Sequence, residues 1–261
     1  MPETDCKFNT LLEIMRKLRG NGGCPWDAEQ THKSLKRYLL EETYEVIEAI
    51  DSNDQQLLQE ELGDLLLQPV FHAVIAEEKN DFTMDNVIES ICKKLIRRHP
   101  HVFGDQIIAD SAAQTINWEK IKQQEKGAER RSAIAGIPPE LPALLKALKI
   151  TEKAARVGFD WENYQQVMDK VQEELAELHE VIATNNQQRI SEELGDLIFA
   201  LVNLGRFFGV DAEDALRSTI KRFESRFNHI EDSLEKQGQT VQNSTLEEME
   251  QLWQEAKQLE K

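Results

Sequence analysis

The chain has 261 residues, enough for one or two domains with a buried core. Its 31 Lys and Arg residues against 48 Asp and Glu residues give a formal net charge of −17, which argues against binding a nucleic-acid polymer or an anionic membrane surface. Small anionic substrates remain compatible with this charge if bound metal cations bring them in, so the composition predicts metal dependence.

The start of the chain resembles neither a signal peptide nor a membrane span. Glu3 and Asp5 precede an amphipathic stretch, and no apolar run in the chain approaches the roughly 20 residues of a span. Cys6, Cys24 and Cys92 are odd in number and form no CxxC pair, which disfavours a disulfide framework and a cysteine zinc site. We therefore expect a cytoplasmic protein without a membrane partner.

The hydrophobic pattern predicts an all-α fold. Apolar residues recur at spacings of three and four, and glycine and proline are sparse. Residues 20–27, GNGGCPWD, lack the GxxxxGK[ST] pattern of a phosphate-binding loop, so we interpret them as a turn between helices. Pro69 falls within a predicted helix, where proline removes a backbone hydrogen bond. Residues 127–142 contain three prolines and predict a linker between modules 1–126 and 143–261.

The two predicted modules resemble each other at an offset of 132 residues. EELGDL at 60–65 recurs at 192–197, and an EExxE pattern precedes both copies. We infer an internal duplication of one helical module. The repeated acids are Glu42, Glu45, Glu61 and Asp64 in the first half, and Glu174, Glu177, Glu193 and Asp196 in the second.

The repeated acids predict a convergent carboxylate site. Residues three or four apart share a helix face, so Glu174 and Glu177 project together, and the polar break at 184–186 lets two such helices run antiparallel. A solvated acidic face is the usual interpretation of such acids. However, Glu174 falls in the apolar sector of its helix, and no Lys or Arg occurs over 171–188 or 190–205. We therefore expect no local salt bridge to neutralise the group.

A cluster of carboxylates offers only oxygen ligands, which favours Mg²⁺, with Mn²⁺ as a substitute. Phosphate chemistry is therefore the leading hypothesis. A di-iron carboxylate bundle is the competing one, and it requires Glu-x-x-His on two helices. Glu29 and His32 give the one match in the sequence, beside the glycine-rich turn.

A phosphate site also needs polar and cationic groups. Asn203 follows Asp196 by seven residues and therefore lies at nearly the same azimuth of the helix. A later stripe of apolar residues from Leu216 to Leu234 predicts one long helix, with Asp211 as its cap and Gly238 at its end. The basic residues Lys221, Arg222 and Arg226 flank this stripe, as phosphate contacts or as ordinary surface residues.

A last helix is predicted to carry Trp253. Ser244 followed by Glu247 matches the capping box that begins many helices. Four tryptophans occur in the chain, and we interpret most of them as core or interface residues, with one free to stack on a nucleobase.

Six blocks of the chain are more specific than the acidic pattern alone. They are GNGGCPWDAEQTH at 20–32, LLEETYEVIEAI at 39–50, EELGDLL at 60–66, RRHPHVFGD at 97–105, GIPPELPALLKALKITEKAARVGFDW at 136–161 and EELGDLIFALVNLGR at 192–206. In order and spacing, over nearly the whole chain, they closely resemble the MazG family of bacterial tandem-domain nucleoside triphosphate pyrophosphohydrolases. The EExxE…ExxD pattern alone is shared with the wider all-α NTP pyrophosphatase superfamily.

The resemblance implies Mg²⁺-dependent hydrolysis of an NTP to an NMP and diphosphate, with broad or house-cleaning specificity. It also implies a homodimer of four-helix modules, in which the C-terminal module is catalytic. The implied metal ligands are Glu174, Glu177, Glu193 and Asp196, and Glu173 or Glu192 would orient the attacking water. The implied nucleotide contacts are Lys170, Glu173, Arg189, Glu192, Arg222, Ser225 and Trp253, beside Asn203, Lys221 and Arg226 from the pattern itself.

The first module keeps a complete set of acids, so a second candidate metal site is expected at Glu42, Glu45, Glu61 and Asp64. Pro69 distinguishes this module from the second, and we expect its turnover to be weak or absent. The alternative to an enzyme is a non-catalytic helical module that senses nucleotides or binds a partner protein.

Overall fold

The computed structural model describes residues 7–106, 110, 114, 117, 118, 121, 125 and 132–259. Within these residues the secondary structure is helical and contains no strand, so the predicted all-α class is confirmed. The chain divides into two compact units, Met1–Glu125 and Lys126–Lys261. Of the predicted linker, 127–131 lie outside the described residues, and 132–142 form turns without a helix. The exact module boundaries stay predictions.

The first unit is organised around its longest helix, α4. Its helices are α1 (Phe8–Arg19), α2 (Pro25–Glu29), α3 (Lys36–Ser52), α4 (Gln55–Glu78), α5 (Met84–Arg98) and α6 (Pro100–Phe103). Helix α4 packs against α1, α3 and α5. Pro69 lies inside α4, as predicted. The core of the unit joins residues of α1 and α4, including Leu12, Met15, Phe71 and Val74.

The second unit is organised around a helical hairpin. Its elements are α7 (Ala143–Ala155), α8 (Tyr164–Ile182), α9 (Gln187–Phe207), α10 (Ala212–Lys236), a 3₁₀ turn (Val241–Asn243) and α11 (Leu246–Leu259). Helix α9 packs against α7, α8 and α10. Helix α11 packs against the C-terminal part of α10, where Ile230, Leu234 and Leu252 form a small core.

The hairpin turns repeat in both units. Asn53 and Asn185 each adopt a left-handed backbone, with φ of 54° and 51°. The next residue caps the following helix: Asp54 accepts hydrogen bonds from the backbone of α4, and Asn186 accepts one from the backbone of α9. These pairs are 132 residues apart, so the duplication inferred from the sequence extends to the turn geometry.

Two predicted helix ends can be compared with the structure. Asp211 caps α10 through hydrogen bonds from the backbone N–H groups of Glu213 and Asp214, as predicted. The capping box of the last helix, however, is one residue later than predicted: Thr245 and Glu248 exchange hydrogen bonds at 3.2 and 2.8 Å. Ser244 instead donates its hydroxyl to the carbonyl of Thr240 in the preceding turn.

Across the described part of the chain, every helix is too short or too polar to cross a membrane.

Candidate functional site

The hairpin of α8 and α9 brings three of the predicted metal ligands together. Glu174 and Glu177 lie one turn apart on α8, and Glu193 lies on α9. One carboxylate oxygen of each residue falls within 4.8 Å of the others. Glu174 is buried, Glu193 is half-buried and Glu177 is exposed, so the cluster extends from the interior of the unit to its surface.

The cluster carries more negative charge than its surroundings neutralise. Partial desolvation, followed by the charges of Glu174 and Glu193, raises the pKa of the Glu177 carboxyl. The positive charge of Lys170, whose Nζ lies 2.7 Å from Glu174 Oε1, opposes this rise in the pKa of Glu177.

The expectation that no local salt bridge reaches the cluster was wrong. Lys170 Nζ lies 2.7 Å from Glu174 and 2.8 Å from Glu173, and Arg189 Nη2 lies 3.7 Å from Glu193. Each cation precedes its main partner by four residues, which places the two on one helix face. Lys170 and Arg189 immediately precede the two stretches without basic residues, 171–188 and 190–205. Because Glu173 and Glu174 share one lysine, the pairing neutralises the cluster only in part.

The fourth predicted ligand, Asp196, lies outside this group of three and lines an adjoining cavity. The two acids expected to orient water are exposed beside the cluster. Glu173 accepts a hydrogen bond from Lys170, and Glu192 accepts one from Gln188 Nε2 at 2.7 Å. The sequence prediction that four carboxylates converge therefore holds for three of them, with Asp196 in the wall of the same cavity as Glu174.

A cavity of about 500 Å³ extends from the acidic cluster between α7, α8 and α9. Its acidic end includes Glu174 and Asp196, with Lys170 beside them. The remainder is mainly apolar and aromatic, and includes Phe159 and Trp161 from the loop after α7. The lining consists of Ile150, Thr151, Ala154, Gly158, Phe159, Asp160, Trp161, Val167, Lys170, Glu174, Asp196, Phe199, Ala200, Asn203 and Arg206.

One polar group in the cavity is held by its neighbours. Asn203 Oδ1 accepts a hydrogen bond of 2.8 Å from Arg206 Nε. The guanidinium of Arg206 in turn forms an ion pair with Asp160, with one contact of 3.0 Å from Nη1 to Oδ2. Asn203 was predicted from its helical azimuth. Asp160, Phe159 and Arg206 were not, because a loop residue and a side chain that bridges to it leave no periodic signal.

The predicted contacts on the last two helices lie elsewhere in the unit. Lys221, Arg222 and Ser225 are exposed on α10. Arg222 Nη2 donates to Thr219 Oγ1, and the guanidinium of Arg226 lies 5.3 Å from the ring centroid of Trp253. Of the described residues that line the cavity, none comes from α10 or α11. The structure therefore does not bring these residues to the cavity.

The first unit repeats the acidic cluster. One oxygen from each of Glu42, Glu45 and Glu61 lies within 4.8 Å of the others. Partial desolvation, followed by the charge of Asp64, raises the pKa of Glu42, and desolvation followed by the charge of Glu45 raises the pKa of Glu61. The acidic cluster of the first unit thus has the same carboxylate arrangement as the cluster of the second unit.

Comparison with known proteins shows which family has sequences similar to both units. The sequence profile described as the MazG nucleotide pyrophosphohydrolase domain matches residues 30–103 and 162–231. The chain belongs to the MazG nucleotide pyrophosphohydrolase family. Each MazG match includes one of the two acidic clusters, and the second match ends before Trp253.

Three relatives illustrate how far the MazG similarity extends. A protein of Thermotoga maritima named nucleoside triphosphate pyrophosphohydrolase/pyrophosphatase MazG is 47% identical, over 98% of each chain. The nucleoside triphosphate pyrophosphohydrolase of Escherichia coli K12 is 44% identical, over 97% of this chain and 98% of its own. YabN of Bacillus subtilis is 46% identical over 98% of this chain, which corresponds to 52% of YabN.

Proposed function

We propose that this chain is a nucleoside triphosphate pyrophosphohydrolase whose second unit converts an NTP and water into an NMP and diphosphate. The observation that carries the proposal is the cluster of Glu174, Glu177 and Glu193 beside a 500 Å³ cavity. The near full-length similarity to two proteins named for this activity supports it. We propose broad specificity among NTPs. We also propose a cytoplasmic location, because three cysteines without a CxxC pair disfavour a disulfide framework.

The residues of the second cluster fit a hard divalent cation. They offer oxygen ligands alone, within 4.8 Å of one another. Desolvation and then the charges of Glu174 and Glu193 raise the pKa of Glu177, and a bound cation would offset the repulsion among these charges. Glu174, Glu177 and Glu193 would hold Mg²⁺, or Mn²⁺ in its place, with Asp196 as a further ligand from the cavity wall. When bound, the ion polarises phosphoryl oxygens and makes bound water more acidic.

The protein's own residues supply the remaining chemistry. The attacking water oxygen forms a bond to the α-phosphorus, the bond from that phosphorus to the bridging oxygen breaks, and diphosphate leaves. Glu173 or Glu192 orients the water and accepts its proton at a carboxylate oxygen. Lys170 and Arg189 attract phosphate oxygens through charge-assisted hydrogen bonds. Lys221, Arg222, Ser225, Arg226 and Trp253 are proposed nucleotide contacts on the strength of the family resemblance.

We propose that the protein acts as a homodimer. The exposed side of α9 carries Leu194, Ile198 and Leu201, which are between 41 and 47% exposed and share one helix face. A second copy of this chain would cover that face.

Light scattering coupled to size exclusion should report a dimer for the wild type and a monomer for Leu201→Glu. Leu259→Glu, at an exposed position near the C-terminus, is the control expected to stay dimeric. A wild-type monomer would contradict the proposal.

The reaction is tested by the products formed from each NTP with Mg²⁺ in ¹⁸O-labelled water. Attack at the α-phosphorus predicts unlabelled diphosphate and an NMP that carries one ¹⁸O atom. NDP with orthophosphate, or label in the diphosphate, would overturn the proposed chemistry. Binding of NTPs without any turnover would favour the non-catalytic module instead.

A matched pair of variants locates the active unit. Glu193→Gln removes one ligand charge from the second cluster, and Glu61→Gln makes the same change at the corresponding position of the first. We expect Glu193→Gln to lower kcat by about 1,000-fold, because it weakens the binding of the ion that polarises the phosphoryl oxygens. This loss corresponds to about 4 kcal/mol of transition-state stabilisation, at about 1.4 kcal/mol for each tenfold. Glu61→Gln should leave kcat unchanged, because the first unit is proposed to contribute little turnover. The reverse result would move catalysis to the first unit.

A further inference from the structure

The cavity is longer than the acidic cluster needs. Asp196 and Asn203 both line it and are seven residues apart on α9, a rise of about 10 Å along the helix. A divalent ion and phosphate groups occupy the acidic end under the proposed function, on which this inference rests. The remaining length reaches toward Arg206, whose ion pair with Asp160 brings the loop of Phe159 and Trp161 to that end of the cavity. The nucleoside part of an NTP would continue there.

The far part of the cavity has the composition of a pocket for a flat, largely apolar ligand. Ligand pockets are typically lined by hydrophobic and aromatic side chains with a few placed polar groups. Here Phe159, Trp161 and Phe199 provide aromatic surface, and Phe159 is 82% exposed. An exposed aromatic side chain at a cavity lined by other aromatic groups is available to stack on a ring.

The orientation of the Asn203 amide is fixed by chemistry. Arg206 Nε can only donate a hydrogen bond, so the group of Asn203 that faces it at 2.8 Å must be the carbonyl oxygen. The ion pair with Asp160 holds Arg206 in place. Within the described part of the chain, the Asn203 side chain forms no other hydrogen bond. Its NH₂ group is therefore the part left to meet a ligand.

We infer that the far part of the cavity binds the nucleobase of the substrate, and that Asn203 favours bases that present a carbonyl oxygen to it. A carbonyl accepts a hydrogen bond from the NH₂ group of Asn203. An exocyclic amino group at the same place puts a second donor opposite the NH₂ group of Asn203, and both donors lack a partner. This loss contributes more to discrimination between the bases than the hydrogen bond gained by the carbonyl. Asp160 and Arg206 act as positioning residues, because their ion pair and the hydrogen bond from Arg206 hold the Asn203 amide in one orientation.

The sharpest test uses substrate pairs that differ on one edge of the base. ITP and ATP differ by a carbonyl oxygen against an amino group on the same purine ring, and with it by the proton on the adjacent ring nitrogen. UTP and CTP differ in the same way on the pyrimidine ring. We expect kcat/KM to favour ITP over ATP, and UTP over CTP, by about 10-fold or more. Equal values within both pairs would overturn the inference and leave the proposed function standing. If none of the four nucleotides is hydrolysed, the result would instead count against the proposed function.

Asn203→Asp tests the residue directly. The carboxylate still accepts from Arg206, but its other oxygen offers an acceptor where Asn203 offers a donor. The ITP/ATP ratio should therefore fall below one. Asn243→Asp is the matched control, since it adds the same charge at an exposed position of the same unit, and it should keep the wild-type ratio. An unchanged ratio in Asn203→Asp would overturn the assignment.

A binding measurement makes the test independent of turnover. Calorimetric titration with IMP and AMP, without a metal, should show tighter binding of IMP to the wild type and a reversed order for Asn203→Asp. Asp160→Asn removes the charge that holds Arg206 and should move the IMP/AMP ratio toward one while circular dichroism stays unchanged. Retention of the full preference in Asp160→Asn would overturn the positioning role, and equal binding of IMP and AMP to the wild type would overturn the base pocket.

Discussion

The two units share an acidic cluster but differ in what lies beside it. Asn203, which lines the cavity of the second unit, corresponds at the offset of 132 to Phe71 in the first. Arg206 corresponds to Val74. Phe71 and Val74 are 3 and 2% exposed and belong to the core that contains Leu12 and Met15. The first unit therefore packs apolar side chains at the positions where the second unit places polar ones around a cavity.

The cations near the two clusters differ as well. Lys170, which contacts Glu173 and Glu174, corresponds to Tyr38 in the first unit, and Tyr38 accepts a hydrogen bond from Arg37 instead. Both units keep the carboxylates, whereas the polar residues Asn203 and Arg206 that line the cavity of the second unit are replaced by buried apolar residues in the first. Under the proposed function, a carboxylate cluster without these neighbours would hold an ion but would give a nucleotide few groups to bind.

The largest effect is expected from exchanging the interior residues that distinguish the units. Phe71→Asn should lower the free energy of unfolding of the first unit by about 3 to 4 kcal/mol, because it removes a buried ring and leaves an amide in the core. Urea unfolding measures the loss.

Asn203→Phe is the reciprocal change and serves as the comparison. It places a ring in an existing cavity, so it should cost much less stability while it lowers turnover. Equal destabilisation by both variants would contradict the contrast between a filled core and a cavity.

Magnesium tests whether both clusters bind an ion. A ligand at about 100 times its Kd stabilises a folded protein by about 2.7 kcal/mol, so Mg²⁺ should raise the unfolding temperature of the wild type. We expect Glu177→Gln to remove the part of this increase that belongs to the second unit, and Glu45→Gln the part that belongs to the first. Differential scanning calorimetry with Mg²⁺ and with a chelator gives the comparison. An increase unaffected by Glu45→Gln would make the first cluster an ordinary solvated acidic surface.

The sequence predicted the parts of this structure that depend on local pattern. The break at 184–186, the cap at Asp211 and the cluster of Glu174 with Glu177 follow from helical spacing and capping chemistry, and the structure contains each of them. The all-α fold was predictable for the same reason.

Other features depend on competing local signals or on tertiary structure. Ser244 and Thr245 are each followed three residues later by glutamate. Thr245 caps the helix, whereas the Ser244 hydroxyl is bonded to the carbonyl of Thr240. The cavity wall at Phe159 and Trp161 comes from a loop whose position depends on how α7 packs against α9. Periodicity within one helix carries no information about such a contact.

Lys170 provides a smaller test of the difference in cations. Lys170→Met keeps much of the side chain's length and removes its charge, so a phosphate loses one charge-assisted hydrogen bond. We expect KM for an NTP to rise by about 10-fold, since such bonds contribute about 1.5 to 3 kcal/mol. Tyr38→Phe, at the corresponding position of the first unit, should leave steady-state kinetics unchanged. An unaltered KM in Lys170→Met would remove this residue from the nucleotide contacts.

The smallest expected effects come from one helix cap in each unit. Thr83 caps α5 and Thr245 caps α11, and each exchanges hydrogen bonds with the residue three positions later. Replacing either threonine by alanine should cost about 1 kcal/mol, confined to the unfolding transition of its own unit. In calorimetry, each variant should shift only the unfolding peak of its own unit. A shift of the same peak by both variants would show a shared transition instead.

The cap of α11 also makes a prediction about pH. Hydrogen bonds from Thr245, first from its backbone N–H and then from its hydroxyl, lower the pKa of Glu248 in the folded protein. A carboxyl whose pKa falls on folding stabilises the folded state above its unfolded pKa of about 4.5, and this contribution is lost as the pH falls through the lowered value. The stability difference between wild type and Thr245→Ala should therefore be larger at pH 7 than in acid. Thr83→Ala should show no such change, because its partner Asn86 does not titrate.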